Sequence, residues 1–246
     1  MTDMSGIFLT GTDTDAGKTI ATLLLTHAFL QQGVDVYPYK PVQSGAEERE
    51  GKLIAPDAEI YQLLPELKDQ ELSTYLYKMA SSPHLAAEQE GTVIPIEEVI
   101  TNIKEKAIDQ EMLLVEGAGG LYVPLNRQGY CIIDLIEELK FPVVIVARAS
   151  LGTINHTMLT VEALKNRGLH VTGIILSSTV PEDEMIEQDN RQMIEQLTGV
   201  PIIGTIPFIQ NISSYLADEA SRSEITENWR IKQLQEVEIR GYETTI

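Results

Sequence analysis

The chain has 246 residues, of which 43% are hydrophobic, 6% aromatic and 22% charged, with 37 acidic against 18 basic side chains and a formal net charge of −19. That length and mix exclude a low-complexity or disordered chain and are ample for a buried core. The negative surface argues against nucleic acid and anionic membranes as partners, and otherwise serves solubility. A single cysteine, Cys131, rules out an intrachain disulfide and suits a reducing compartment. The opening MTDMSGIFLTG lacks the basic region of a signal peptide, and the longest aliphatic runs are too short for a bilayer. A cytoplasmic location is expected.

In chain order, the first aliphatic run is GIFLT (6–10), followed by GTDTDAGKT (11–19). Residues 18–32 place Ile20, Leu23, Leu24, His27 and Ala28 on one helical stripe, with Gly33 as the stop. The run VDVYPY (34–39) leads into YKPVQSG (39–45). The span 40–110 holds a long polar loop and a helical piece at 96–108, with no convincing strand. MLLVE (112–116), PVVIVA (142–147), VTGIILS (171–177) and PIIGTI (201–206) complete the aliphatic runs. Between them, 153–167 has Ile154, Met158, Val161 and Leu164 at helical spacing before Gly168. The segment 183–198 likewise has Met185, Ile186, Met193, Ile194 and Leu197 before Gly199. The polar, helix-prone segment after about 208 has no predicted place.

Continuous apolar runs mark strands buried on both faces, and their alternation with helices predicts an α/β fold. The expectation is one domain over 1–246, with a doubly wound, mainly parallel sheet, helices on both faces and a P-loop NTPase-like form.

Gly17-Lys18-Thr19 follows a strand and opens a helix, the context in which backbone N–H groups hold phosphates, a lysine reaches the outer ones and a hydroxyl ligates magnesium. The strict pattern has glycine where Thr12 stands; Gly11 precedes it. Two acids, Asp13 and Asp15, share this loop, where bare phosphate would repel them. Glu116 ends a buried run, the place where such folds hold the nucleotide's metal, with a strand-end acid exposed to water as the alternative reading. The glycines at 117–120 lack the spacing of a dinucleotide fingerprint, and LYVPL follows rather than a helix. Lys40 beside the same sheet edge could neutralise a developing anion or be an ordinary solvated lysine. Asp57 before a helix reads most simply as an N-cap. His84 and His156 read as structural, and no histidine has zinc spacing.

Taken together, GTDTDAGKT, YKPVQSG, PDA (56–58), SPH with AAEQEG (82–91), VEGAGG (115–120) and LGTINHTMLT (151–160) resemble the dethiobiotin synthetase family. The resemblance implies ATP- and Mg2+-dependent joining of CO2 to 7,8-diaminononanoate, through a carbamate and a carbamic–phosphoric anhydride, with ring closure to a cyclic urea and release of ADP and phosphate. It implies a homodimer. Lys40 and Lys18 would be catalytic, and Thr19, Asp57 and Glu116 would hold the metal. The nucleotide would lie along Asp15, Ala16, Gly17, Lys18, Thr19, Ile20, Asp57, Glu116, Gly117, Ala118 and Gly119, and at Ser177, Ser178 and Pro207. Thr14 and Ser44 would touch the diamine. The substrate carboxylate would be met by Gly152, Thr153, Ile154 and Asn155 of the partner subunit, through free N–H groups of Thr153, Ile154 and Asn155. A diamine cargo, cationic near neutral pH, gives Asp13 and Asp15 a use beside phosphates. Where well-known members carry an asparagine reading adenine, this chain has Ser177-Ser178. A serine cannot make a two-pronged amide contact, so base preference is open.

The rival readings are an ATPase switch of the partition or septum-positioning type, an amide-forming ligase, and a nucleotide-binding remnant. The first carries a second loop lysine where Asp13 stands. The second needs an ammonia-generating cysteine that Cys131 does not resemble. The third is disfavoured by the intact Lys18, Lys40 and Glu116.

Overall fold

Each of the six aliphatic runs forms a strand in the computed structural model, which describes residues 5–234. These are β1 (Gly6–Gly11), β2 (Val36–Ser44), β6 (Met112–Gly120), β7 (Val143–Arg148), β8 (Val171–Ser177) and β9 (Ile202–Ile206). With β5 (Ser73–Tyr77) they make a seven-stranded sheet in the order β5-β2-β6-β1-β7-β8-β9, with every pairing parallel. The covering helices are α1 (Lys18–Leu30), α2 (Pro56–Tyr61), α3 (Pro83–Gln89), α4 (Ile96–Asp109), α5 (Ile132–Leu139), α6 (Thr153–Asn166), α7 (Glu184–Thr198), α8 (Ile212–Tyr215) and α9 (Glu219–Thr226). Among the described residues no helix is long and apolar enough to cross a membrane.

The span 40–110 departs from expectation. The polar loop contains a hairpin, β3 (Glu47–Arg49) against β4 (Lys52–Ile54), turning through Glu50 (φ 52°) and Gly51 (φ 76°). Two consecutive left-handed residues are the signature of a tight hairpin turn, which a purely polar stretch conceals. The edge strand β5 was also unforeseen. Its sequence, STYLY, is half-buried and paired on one side by β2, so it lacks the continuous apolar run of a central strand.

Strand β2 runs on to Ser44, so Lys40 lies inside the strand rather than after it. Its first half, Val36–Tyr39, pairs with β6; from Lys40 onward it pairs with β5. β2 and β6 therefore part beyond Tyr39 and Val115, opening a gap at the carboxyl edge of the sheet. On the other flank, β6 advances four residues while β1 advances two, from Leu9↔Glu116 to Gly11↔Gly120. Such a bulge re-aims side chains at a sheet edge. Both irregularities flank β6, the neighbour of β1, the strand at which the connections change direction and the crevice of an open α/β sheet forms.

Two helical stripes need correction. α1 is buried nearly all round, through Ala21, Leu23, Leu24, Leu25, Ala28 and Phe29, because α2 and α9 cover its outer side. On α7, Met185 is 74% exposed and Leu197 49%; the inward face is Asn190, Ile194 and Thr198. Asn190 Nδ2 donates to the carbonyl of Ala149, 3.0 Å, so a polar contact and not the methionines sets the face. The late segment gains a place: α9 packs on α1, with Gln31 donating to Glu219 and His27 Nε2 3.1 Å from Ser223 Oγ. Residues 235–246 of that segment lie outside the described residues.

Candidate active site

The phosphate loop joins β1 to α1. Gly17 holds φ 89°, and a Cβ there would collide with Ser177 Oγ, so both conformation and space demand glycine. A Cβ on Gly11 would lie 2.6 Å from the Asp13 carbonyl and 3.0 Å from Lys18 Nζ. The glycine displaced by one place from the strict pattern thus makes the room the lysine occupies. Lys18 is buried, and its ammonium donates to the carbonyls of Asp13 (3.1 Å) and Thr14 (3.0 Å). Burial pulls its pKa down to about 8, opposed by Glu116 and reinforced by the Lys40 charge.

Glu116 is the hub of the site and 1% exposed, so it is not a strand-end acid in water. Its Oε1 accepts from Thr19 Oγ1 (3.1 Å) and Lys40 Nζ (3.0 Å); its Oε2 accepts from Thr22 Oγ1 (2.9 Å) and Tyr61 OH (2.5 Å). Four donors fill the sites a carboxylate offers. Burial alone would raise the Glu116 pKa, but the Lys40 and Lys18 charges win and lower it. Lys40, 7% exposed, spans Glu116 and Asp57 with a hydrogen-bonded ion pair to each. Burial works against its charge, and the two carboxylates outweigh burial and raise its pKa above the ordinary lysine value. It is not a solvated lysine. Asp57 is not an N-cap either: Ala55 caps α2, Pro56 opens it, and the Asp57 carboxylate turns to Lys40.

These groups share a cleft of about 460 Å3. Thr14, Asp15, Gly17, Lys18, Thr19 and Ile20 form one wall, Lys40 and Ser44 of β2 with Asp57 another, and Glu116, Ala118 and Gly119 the floor. Ala16 is fully buried and Gly117 backs onto Phe8, so both stand behind the wall. Asp13 is turned outward, accepting from Arg148 at 2.6 Å and from the Thr14 N–H at 2.8 Å; of the two loop acids only Asp15 lines the cleft. Ser177 packs behind Gly17, whereas Ser178 and Pro207 line a second, smaller cavity. Gly152, Ile154 and Asn155 lie at the start of α6, away from both cavities. Thr153 is corrected: its N–H is not free but donates to the Ser150 carbonyl at 3.1 Å.

Several site residues escaped the motifs. Thr22 lies one turn beyond Lys18 and Tyr61 one turn beyond Asp57, so helical spacing from the recognised residues could have found both. Gln43 lines the cleft with its Nε2 donating to the Ser44 carbonyl (2.8 Å) and its buried Oε1 without a hydrogen-bond partner among the described residues. His84, read as structural, has Nδ1 3.3 Å from the Pro124 carbonyl.

A parallel α/β sheet with a phosphate loop between its first strand and helix defines a P-loop, nucleoside-triphosphate-binding protein. Solved structures agree on that fold. The cell division ATPase MinD of Pyrococcus furiosus matches with a TM-score of 0.59 and 16% identity over 96% of this chain and 99% of its own. A ParA family ATPase from Chlorobium tepidum gives 0.53 and 17% over 96% and 97%. A family model described as an AAA domain matches residues 5–215. Sequence relatives are more specific. The ATP-dependent dethiobiotin synthetase BioD of Halalkalibacterium halodurans is 41% identical over 96% of this chain and 98% of its own. That of Anoxybacillus flavithermus is 46% identical over 85% and 95%. The chain belongs to the ATP-dependent dethiobiotin synthetase family of ligases. The ATPase-switch reading finds likeness of fold alone.

Proposed function

We propose that the chain, as one domain, uses ATP and Mg2+ to join CO2 to 7,8-diaminononanoate and close the cyclic urea of dethiobiotin. The carrying observation is Lys40, held as a buried ammonium between Asp57 and Glu116 in the cleft that opens on the phosphate loop. One neutral amine of the substrate attacks CO2, forms the N–C bond and sheds a proton, leaving a carbamate. A carbamate oxygen attacks the γ-phosphorus and ADP leaves, giving the mixed anhydride. The second amine attacks the carbamoyl carbon, the ring closes, and phosphate departs with that amine's proton released.

Lys40 is too firmly protonated to be a base. Its task is to stabilise the carbamate and the charge that develops as oxygen meets phosphorus. Lys18, with the loop N–H groups, would hold the outer phosphates. Asp15 and Ser44 line the cleft from its two walls, where Asp15 would serve the amines as a counter-charge and Ser44 as a hydrogen-bond partner. Thr14 lines it too. The oxygen-only set of Thr19, Asp57 and Glu116 suits Mg2+, which binds through one or two carboxylates and substrate phosphates. When bound, the ion would neutralise charge on the phosphate oxygens. Glu116 already accepts four hydrogen bonds, so it can join the metal shell only as Lys40 or Thr19 turns away. A homodimer would bring the start of the partner's α6, at Gly152–Asn155, to the substrate's distant carboxylate. Phosphate release from ATP with and without the diamine and bicarbonate tests this reading; release indifferent to both would refute it.

A further inference from the structure

The second cavity, about 200 Å3, opens at the carboxyl ends of β8 and β9 against one face of α7. The segment Ser177-Ser178-Thr179 is the seam between it and the phosphate cleft: Thr179 lines the phosphate side, Ser178 the far side, and Ser177 packs against Gly17. A base carried by a triphosphate in the loop would reach across this seam. Ser178 is pinned there by its N–H, which donates to the Ile206 carbonyl at 2.9 Å. Its hydroxyl has one proton and gives it to Glu187 Oε1, 2.5 Å away. Neither donor of Ser178 is left for a ligand. Glu187 Oε2 accepts no hydrogen bond among the described residues, and Glu187 lines the cavity. The Ser178–Glu187 pair therefore presents acceptors only.

Resting on the nucleotide reading above, we infer that Glu187 reads the nucleobase, its carboxylate accepting from an exocyclic amino group. Adenine offers such a donor at N6 and cytosine at N4, whereas uracil would turn a carbonyl oxygen toward a carboxylate. The pair thereby forms a filter for amino-bearing bases, built from a serine and a helix α7 acid. Arg191, one turn further along the same face of α7, is the competing group; if it read the base, a carbonyl-bearing base would be preferred.

Calorimetric titration of ATP, CTP, UTP and inorganic tripolyphosphate into the full chain tests the inference, alongside Glu187→Gln and Glu187→Ala. Wild type should bind ATP and CTP about tenfold or more tighter than UTP, the scale of a hydrogen bond to a charged group. Glu187→Gln should bring UTP within a few-fold of ATP, because an amide can donate to a carbonyl. Glu187→Ala should weaken ATP without gaining UTP. All three proteins should bind tripolyphosphate alike, which shows the loop intact. An unchanged ATP-to-UTP ratio in Glu187→Gln, or wild type binding UTP as tightly as ATP, overturns the inference and leaves the phosphate site standing. Failure of wild type to bind tripolyphosphate or ATP overturns the phosphate site and this inference together.

Discussion

Lys18 and Lys40 are both buried lysines in one cleft, yet their environments push them in opposite directions. Lys40 has two carboxylates in contact; Lys18 has two carbonyls and a neighbouring cation. With a folded pKa near 8 against an ordinary 10.5, Lys18 binds fewer protons folded than unfolded in that window. Its burial cost is fully present below about pH 8 and is relieved as pH rises toward 10.5, so its contribution to folding stability improves with pH there. Phosphate binding needs the ammonium, so nucleotide affinity should move the other way and weaken above about pH 8. Titrating ATP near pH 8 in buffers of different ionisation enthalpy should reveal proton uptake; binding with no proton linkage would contradict the assignment. For Lys40, replacement by alanine should lower turnover by about 10²–10³-fold while nucleotide binding stays within a few-fold. Near-normal turnover would remove Lys40 from the chemistry. Because that change also strips a buried carboxylate of its partner, the retained binding serves as the check on folding. At this scale the motifs exposed Lys18, Lys40, Asp57 and Glu116, since a charged residue stands out against the apolar runs and glycines around it. Thr22 and Tyr61 stayed hidden because a hydroxyl on a buried helix face looks like core.

The site depends on how a few elements begin and end. β2 and β6 part beyond Tyr39 and Val115, and the gap receives the Lys40–Glu116 pair. The loop closes onto β8 through Gly17 and Ser177. Gly17→Ala adds both a clash with Ser177 Oγ and a left-handed alanine, and should cost roughly 1–3 kcal/mol of stability along with phosphate affinity. Adding Ser177→Gly removes the clash but leaves the strained φ, so thermal melts should show partial recovery. Full recovery would mean the conformation carries no strain; none would mean the clash is immaterial. Central strands and long helices were legible as apolar runs and helical stripes. The edge strand β5, the β3–β4 hairpin and the true inward face of α7 were not, because edge pairing, turn dihedrals and a single asparagine-to-carbonyl bond leave no hydrophobic period.

Over the whole molecule, strand–helix alternation was enough to give the sheet and its crevice, while the packing of α9 on α1 had no sequence signal beyond polarity. The charge of −19 suits the cationic diamine proposed as substrate, and it gives no reason for ATP turnover to respond to DNA or lipid. The assembled site couples a phosphate loop to a cation buried between two acids, an arrangement that would serve the phosphate transfer proposed above. Its most direct test is to follow phosphate release and cyclic urea formation together, in ATP and Mg2+, as the diamine and bicarbonate are added singly and jointly. The account predicts that phosphate appears at appreciable rate only when both are present, one for each urea ring formed. Steady ATP hydrolysis without the diamine, or phosphate release with no ring closed, would contradict it.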